Sequence, residues 1–273
     1  MRRLALIAVC ALLSMPCRAA ARTDSTLVGF SPLDSLLVQF FDILQIEDTQ
    51  FKNREYDSMI GSCKDSLTRQ KVALKIFDHY SHSRLMGEES VAIHIYDEWI
   101  ATGKVKARSE FDQNDMWRFV EFNRNTQIGM KAPQVTLLKS CGAKISVPLE
   151  GSVGVLFFYD ATCSKCILTA KLLPTVLDKA GFPLTLYAVY SGSDRKEWNR
   201  FRHQNIKVRN PKVKVLHLWD PEMDSNYGLL YGVLATPRMY VCLEDGEIIG
   251  RKLEVENLQQ IIDYISIRYG KEK

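Results

Sequence analysis

Cys163 and Cys166, within Cys163-Ser164-Lys165-Cys166, are the residues of this chain best spaced to do chemistry. In the first turn of a helix, thiols three positions apart lie on one face. They can then interconvert between a dithiol and a disulfide. The same spacing supplies half of a zinc site, or a static structural disulfide. Zinc would want a second Cys-x-x-Cys or a His-x-x-x-His to complete its ligands, and the sequence contains neither.

The neighbouring segments decide how the pair is held. Val153 to Tyr159 is a nearly unbroken apolar run, as expected of a strand buried on both faces. Cys163 follows at once, and Ile167, Leu168, Leu172, Leu173, Val176 and Leu177 then recur at helical spacing. Further on, Leu184 to Tyr190 and Val213 to Trp219 read as strands, separated by a helix over Arg195 to Asn205. A short helix over Asn226 to Tyr231 precedes Thr236-Pro237. Met239 to Leu243 and Glu247 to Lys252 form strands turning at Asp245-Gly246, and Val255, Leu258, Ile261, Ile262 and Ile265 mark a closing amphipathic helix. Upstream, Val135 to Leu138 and Ile145 to Val147 flank Cys141-Gly142 as in a hairpin. This alternation predicts an α/β domain over residues 128–273, with a mixed central sheet flanked by helices.

Residues 22–127 read differently, as an all-helical domain. Ser31-Pro32-Leu33-Asp34 has the residues of a helix start. Leu33, Leu36, Leu37, Phe40, Phe41 and Leu44 then form a one-sided apolar stripe, repeated by Val72, Ala73, Ile76, Phe77 and Tyr80 and by Val91, Ala92, Ile95 and Trp99. These side chains suit a packed core. His79, His82 and His94 suit packing or surface positions better than metal binding.

The chain has 273 residues, 46% hydrophobic and 25% charged, a globular composition. Its formal charge of +4 is scattered rather than clustered, which argues against a nucleic-acid binder. Arg2 and Arg3, the apolar run from Leu4 to Pro16 and Ala19-Ala20-Ala21 have the pattern of a signal peptide over residues 1–21, cleaved after Ala21. The mature chain is therefore expected to work outside the cytoplasm, where disulfides persist. A lipid anchor at Cys17 is the lesser alternative, because Ser14-Met15-Pro16 is a poor lipobox. Cleavage reduces the seven cysteines to Cys63, Cys141, Cys163, Cys166 and Cys242, too few for a disulfide-stapled scaffold.

A Cys-x-x-Cys between a buried strand and a helix, with a later Pro before a strand, resembles thioredoxin. The entry Ile128-Gly129-Met130-Lys131-Ala132-Pro133, the hairpin after it and the segment ending Leu218-Trp219-Asp220-Pro221 are similar to TlpA-like periplasmic thiol–disulfide oxidoreductases. The resemblance implies a thioredoxin-like fold that exchanges disulfides with protein thiols, without a cofactor, a periplasmic location and a membrane-bound redox partner. It implies Cys163 as the attacking thiol, Cys166 as the resolving thiol and Pro237 as a cis-proline, which with Thr236 offers a backbone edge to substrate. A helix N-terminus favours a thiolate at Cys163, and Lys165 adds a nearby positive charge to tune it.

Departures from the family pattern accompany the match. Thr162 replaces a frequent Trp, Ser164-Lys165 replaces the usual Gly-Pro or Gly-His, and Phe157 stands where thioredoxins keep a buried aspartate. Lys171 occupies the place of the usual helix-kinking proline, and Pro174 follows it. Three rival readings remain: a copper or zinc binder using Cys163, Cys166 and His217, a thiol peroxidase, and a docking module with a vestigial redox centre.

Overall fold

The computed structural model describes residues 32–271. The expected signal peptide and the alternative anchor at Cys17 lie outside the described residues. No described helix is long and apolar enough to cross a membrane. The chain divides into two compact units between Val120 and Glu121.

The first unit is helical: α1 (Pro32–Leu44), α2 (Thr49–Ser62), α3 (Ser66–Ser81), α4 (Glu89–Ile95), a π-helix (Tyr96–Ile100) and most of α5 (Glu110–Arg124). Asp48 and Asp65 start α2 and α3 by accepting from the backbone N–H groups of Phe51 and Thr68, both at 2.8 Å. Each thus satisfies a helix-end donor that would otherwise lack a partner. The apolar stripes meet in one core that includes Leu37, Phe40, Ile76, Phe77, Val91 and Ile95. Inside it the hydroxyls of Tyr56 and Tyr80 meet at 2.7 Å. All three histidines have local partners: His79 stacks on Phe41, His94 pairs with Asp57 at 2.9 Å, and His82 Nδ1 lies 2.8 Å from the Asp78 carbonyl.

The second unit begins within α5. Arg251 donates to Asn123 Oδ1 at 2.9 Å and Thr126 Oγ1 at 3.3 Å, so residues just ahead of 128 are fastened to its sheet. Its strands are β1 (Val135–Lys139), β2 (Lys144–Val147), β3 (Val153–Tyr159), β4 (Leu184–Tyr190), β5 (Val213–Trp219), β6 (Arg238–Cys242) and β7 (Ile248–Arg251). Its remaining helices are α6 (Ser164–Leu177), α7 (Arg195–Gln204), α8 (Tyr227–Leu230) and α9 (Val255–Lys271). Among the described residues they form one seven-stranded sheet in the order β2-β1-β5-β4-β3-β6-β7. β3, β4 and β5 are parallel, while β6 runs antiparallel to β3 and β1 antiparallel to β5.

Every residue of β3 and β4 is buried, which explains their unbroken apolar sequences. Successive side chains of β3 point to opposite faces. Val153, Val155, Phe157 and Tyr159 enter the core with α6, α7 and α9, and Leu156 and Phe158 enter the other core with Tyr227 and Tyr231. The fold is therefore the mixed sheet flanked by helices, after a helical front unit. The chain leaves β3 between two packed layers, and that exit positions the cysteine pair.

Candidate functional site

After Tyr159 the chain makes a tight turn. Asp160 Oδ1 accepts from the Thr162 N–H at 2.7 Å and from its hydroxyl at 2.5 Å, while the Cys163 N–H reaches the Asp160 carbonyl at 3.4 Å. Asp160 is thus a turn-forming residue. Cys163 is the N-cap of α6, with extended backbone at φ −75° and ψ 115°. Its Sγ accepts from the Cys166 N–H at 3.1 Å, taking the place of the oxygen that usually caps a helix. The same sulfur, as a thiol, donates to the Thr236 carbonyl at 3.6 Å. The Thr236–Pro237 peptide, just ahead of β6, is cis, and the Thr236 carbonyl faces the helix start.

The two sulfurs have different environments. Cys163 is partly exposed, whereas Cys166 is fully buried against β3. Burial, with hydrogen bonding to Cys163 adding, pushes the Cys166 thiol up to about 12, against opposing hydrogen bonds from Thr236 and Asp160. One thiol faces solvent at the helix end and the other stays protonated beneath it.

Lys165, assigned by the sequence to tune the outer thiol, has another partner. Its Nζ lies 2.7 Å from Glu254 Oε1, just before α9, and both side chains are more than half exposed. Its charge is matched by a carboxylate that local spacing could not reveal. Phe157 belongs to the apolar core, so the described site has no buried carboxylate at that position. His217 faces the core from β5, and burial holds its imidazole down to about 4, with Arg202, His203 and Lys207 adding. Among the described residues no three His, Cys, Asp or Glu side chains are grouped to hold a metal, so His217 does not complete a site with the cysteines. Cys141 is exposed in the β1–β2 turn and Cys242 is buried in β6; neither is in a disulfide.

A groove that the sequence reading missed opens beside the pair. It has a volume of about 410 Å³ and shares Asp160 and Thr236 with the cysteine turn. Met223, Tyr227 and Leu234 supply its apolar surface. Asp220 shapes one wall: its carboxylate accepts from the backbone N–H groups of Asp224 and Ser225 and from the Ser225 hydroxyl. That knot holds Met223 in a left-handed conformation at φ 58°, a costly geometry for an unbranched apolar residue. Met223 and Leu234 are 69% and 61% exposed, too open for core residues. Large apolar residues in loops were the available sequence signal.

No protein-family model matches the chain, and no curated protein does. Among solved structures it is similar to a thioredoxin-like protein from Bacteroides caccae, with a TM-score of 0.63 and 16% identity over 84% of this chain and 82% of that one. Lower similarity is found to the thioredoxin domain of a thiol-disulfide oxidoreductase from Bacteroides vulgatus (TM-score 0.43, 17% identity, 51% of this chain and 97% of that one). A domain of a possible thiol-disulfide isomerase from Cytophaga hutchinsonii gives a TM-score of 0.44 at 24% identity, over 55% of this chain and 97% of that one. The first of these likenesses shows the fold, which is thioredoxin-like.

Proposed function

We propose that this chain is a secreted thiol–disulfide oxidoreductase acting on protein substrates through Cys163 and Cys166. Fold alone does not carry activity. The observation that carries this reading is the asymmetry of the pair: a partly exposed Cys163 sulfur capping α6 beside the Thr236 carbonyl, above a buried Cys166.

The exchange follows from that geometry. The Cys163 thiolate attacks one sulfur of a substrate disulfide, forming a mixed disulfide and releasing the other sulfur as a thiolate that takes up a proton. Cys166 then loses its proton and attacks the Cys163 sulfur. The second substrate sulfur leaves as a thiol, and the protein retains a Cys163–Cys166 disulfide. Two electrons pass from protein to substrate, and the reverse sequence oxidises a dithiol. A membrane-bound dithiol or disulfide partner resets the pair in this reading. The backbone at Thr236 and cis-Pro237, just ahead of β6, offers an edge on which a substrate segment lies.

The test is reduction of insulin disulfides by the pre-reduced protein, with fractionation of cells for the periplasmic location. Turnover that requires both cysteines supports the reading. Tight stoichiometric binding of copper or zinc by the reduced protein, without turnover, overturns it in favour of metal handling; rapid peroxide consumption favours a peroxidase.

A further inference from the structure

We infer that the groove beside Cys163 selects the segment flanking the target cysteine, taking a large apolar side chain and rejecting carboxylates. The inference rests on the exchange reading and names its substrate class: an extended polypeptide with an apolar residue next to its disulfide cysteine, rather than an anionic small disulfide.

Three observations converge. First, the groove is continuous with the reactive sulfur, because Thr236 lines it and its carbonyl touches Cys163. A chain laid along that edge must place a neighbouring side chain there, since successive side chains of an extended segment alternate in direction. Second, the rim holds Met223 and Leu234 out to solvent. Nothing in the described fold covers these apolar side chains, and Asp220 fixes the strained turn that displays Met223. A bound apolar side chain would remove both from water. Third, the groove carries one sign of charge. Asp160 lines it and no Lys, Arg or His is among its lining residues. After burial, Asp220 and Asp160 are the groups that push the Tyr227 phenol up, so both carboxylates are felt inside. A substrate carboxylate would meet repulsion without a compensating cation. About 410 Å³ holds one large side chain with part of its backbone.

The test uses the full reduced protein and two short peptides, each with one cysteine carried as a mixed disulfide with a coloured aromatic thiol. They differ only in Leu or Asp beside the cysteine. Release of the coloured thiol gives second-order rate constants, and the neutral hydroxyethyl disulfide reports exchange itself. The Leu peptide is expected to react about tenfold faster than the Asp peptide, equivalent to about 1.4 kcal/mol. Leu234→Ser should narrow that gap by slowing the Leu peptide. Asp160→Asn, which keeps an oxygen for the Thr162 turn, should narrow it by speeding the Asp peptide. Equal rates for the two peptides, in protein that reduces hydroxyethyl disulfide, overturn the selectivity and leave the exchange reading standing. Failure to reduce any of the three disulfides overturns the exchange reading and the selectivity with it.

Discussion

The backbone N–H of Cys166 donates to Cys163 Sγ across 3.1 Å, so the outer sulfur caps the helix that buries the inner one. Each cysteine holds the other in its part: one remains at the surface, and the other is kept protonated one turn below.

Alkylation of the reduced protein near neutral pH should therefore modify Cys163 first. Burial raises the Cys166 thiol to about 12, leaving little thiolate there at that pH. Cys166→Ala should accumulate mixed disulfides through Cys163, and Cys163→Ala should not. Mass spectrometry of the labelled peptides decides the order; first labelling at Cys166 would reverse the assignment.

Lys165 and Glu254 form a pair of exposed charges, with 60% and 53% of their side chains accessible. Exposed pairs contribute under about 1 kcal/mol, and about 1.4 kcal/mol corresponds to 30 mV for this couple. Lys165→Ala should therefore move the reduction potential by less than about 20 mV. Glu254→Gln, which frees the ammonium, should raise the potential by a similar amount. Glutathione-buffered titrations of both variants provide the check, and a fall of more than about 20 mV in Lys165→Ala would place the ammonium on the sulfur after all.

Gly232 should not tolerate a side chain. Its φ is 58°, and an added Cβ would overlap the carbonyl oxygen of Phe122. The clash is with backbone, which has little room to yield. Gly232→Ala is expected to cost about 3 kcal/mol or more. Gly181→Ala, where nothing lies within 4 Å, serves as the comparison and should be close to neutral. Urea denaturation of the two variants measures the difference.

His217 should make the second unit sensitive to acid. Its folded imidazole sits near 4 against an ordinary 6.5, because burial disfavours the cation. The unfolded chain then binds the proton more readily than the folded one. Stability is complete above about pH 6.5 and is lost as pH falls toward 4. Between pH 7 and 4.5 the loss from this residue should be on the order of 2 kcal/mol. His217→Leu should flatten that part of the stability profile, as measured by denaturation at several pH values.

Features written in neighbouring residues were legible in the sequence. The strand at Val153–Tyr159 followed by the cysteine pair shows as an apolar run meeting a helical period, and both periods are local. The helical stripes of the first unit show for the same reason. The π-helix at Tyr96–Ile100 does not, because one extra residue in a turn leaves the apolar spacing nearly unchanged. Lys165 was legible as a charge but its partner was not, since Glu254 approaches only through the fold. The groove was hidden similarly: Asp160, Met223 and Leu234 come together only after β5 and β6 are in place.

The sheet order also dictates when the molecule can assemble. The β1–β2 hairpin is made early in the second unit, yet β1 docks on β5 through Leu138 with Trp219, far later in the chain. β3 likewise awaits β6 through Phe158 with Arg238. Contacts so distant in sequence must close large loops before they return any stability, and they form slowly. Until β6 emerges, β3 lacks one neighbour and the cis-Pro237 edge that faces Cys163 does not exist. The growing chain therefore carries its reactive thiols before the structure that governs them, with an apolar strand edge open to other chains. Nascent chains held apart until residue 242 has emerged should mature with less disulfide-linked aggregation than chains released to fold sooner.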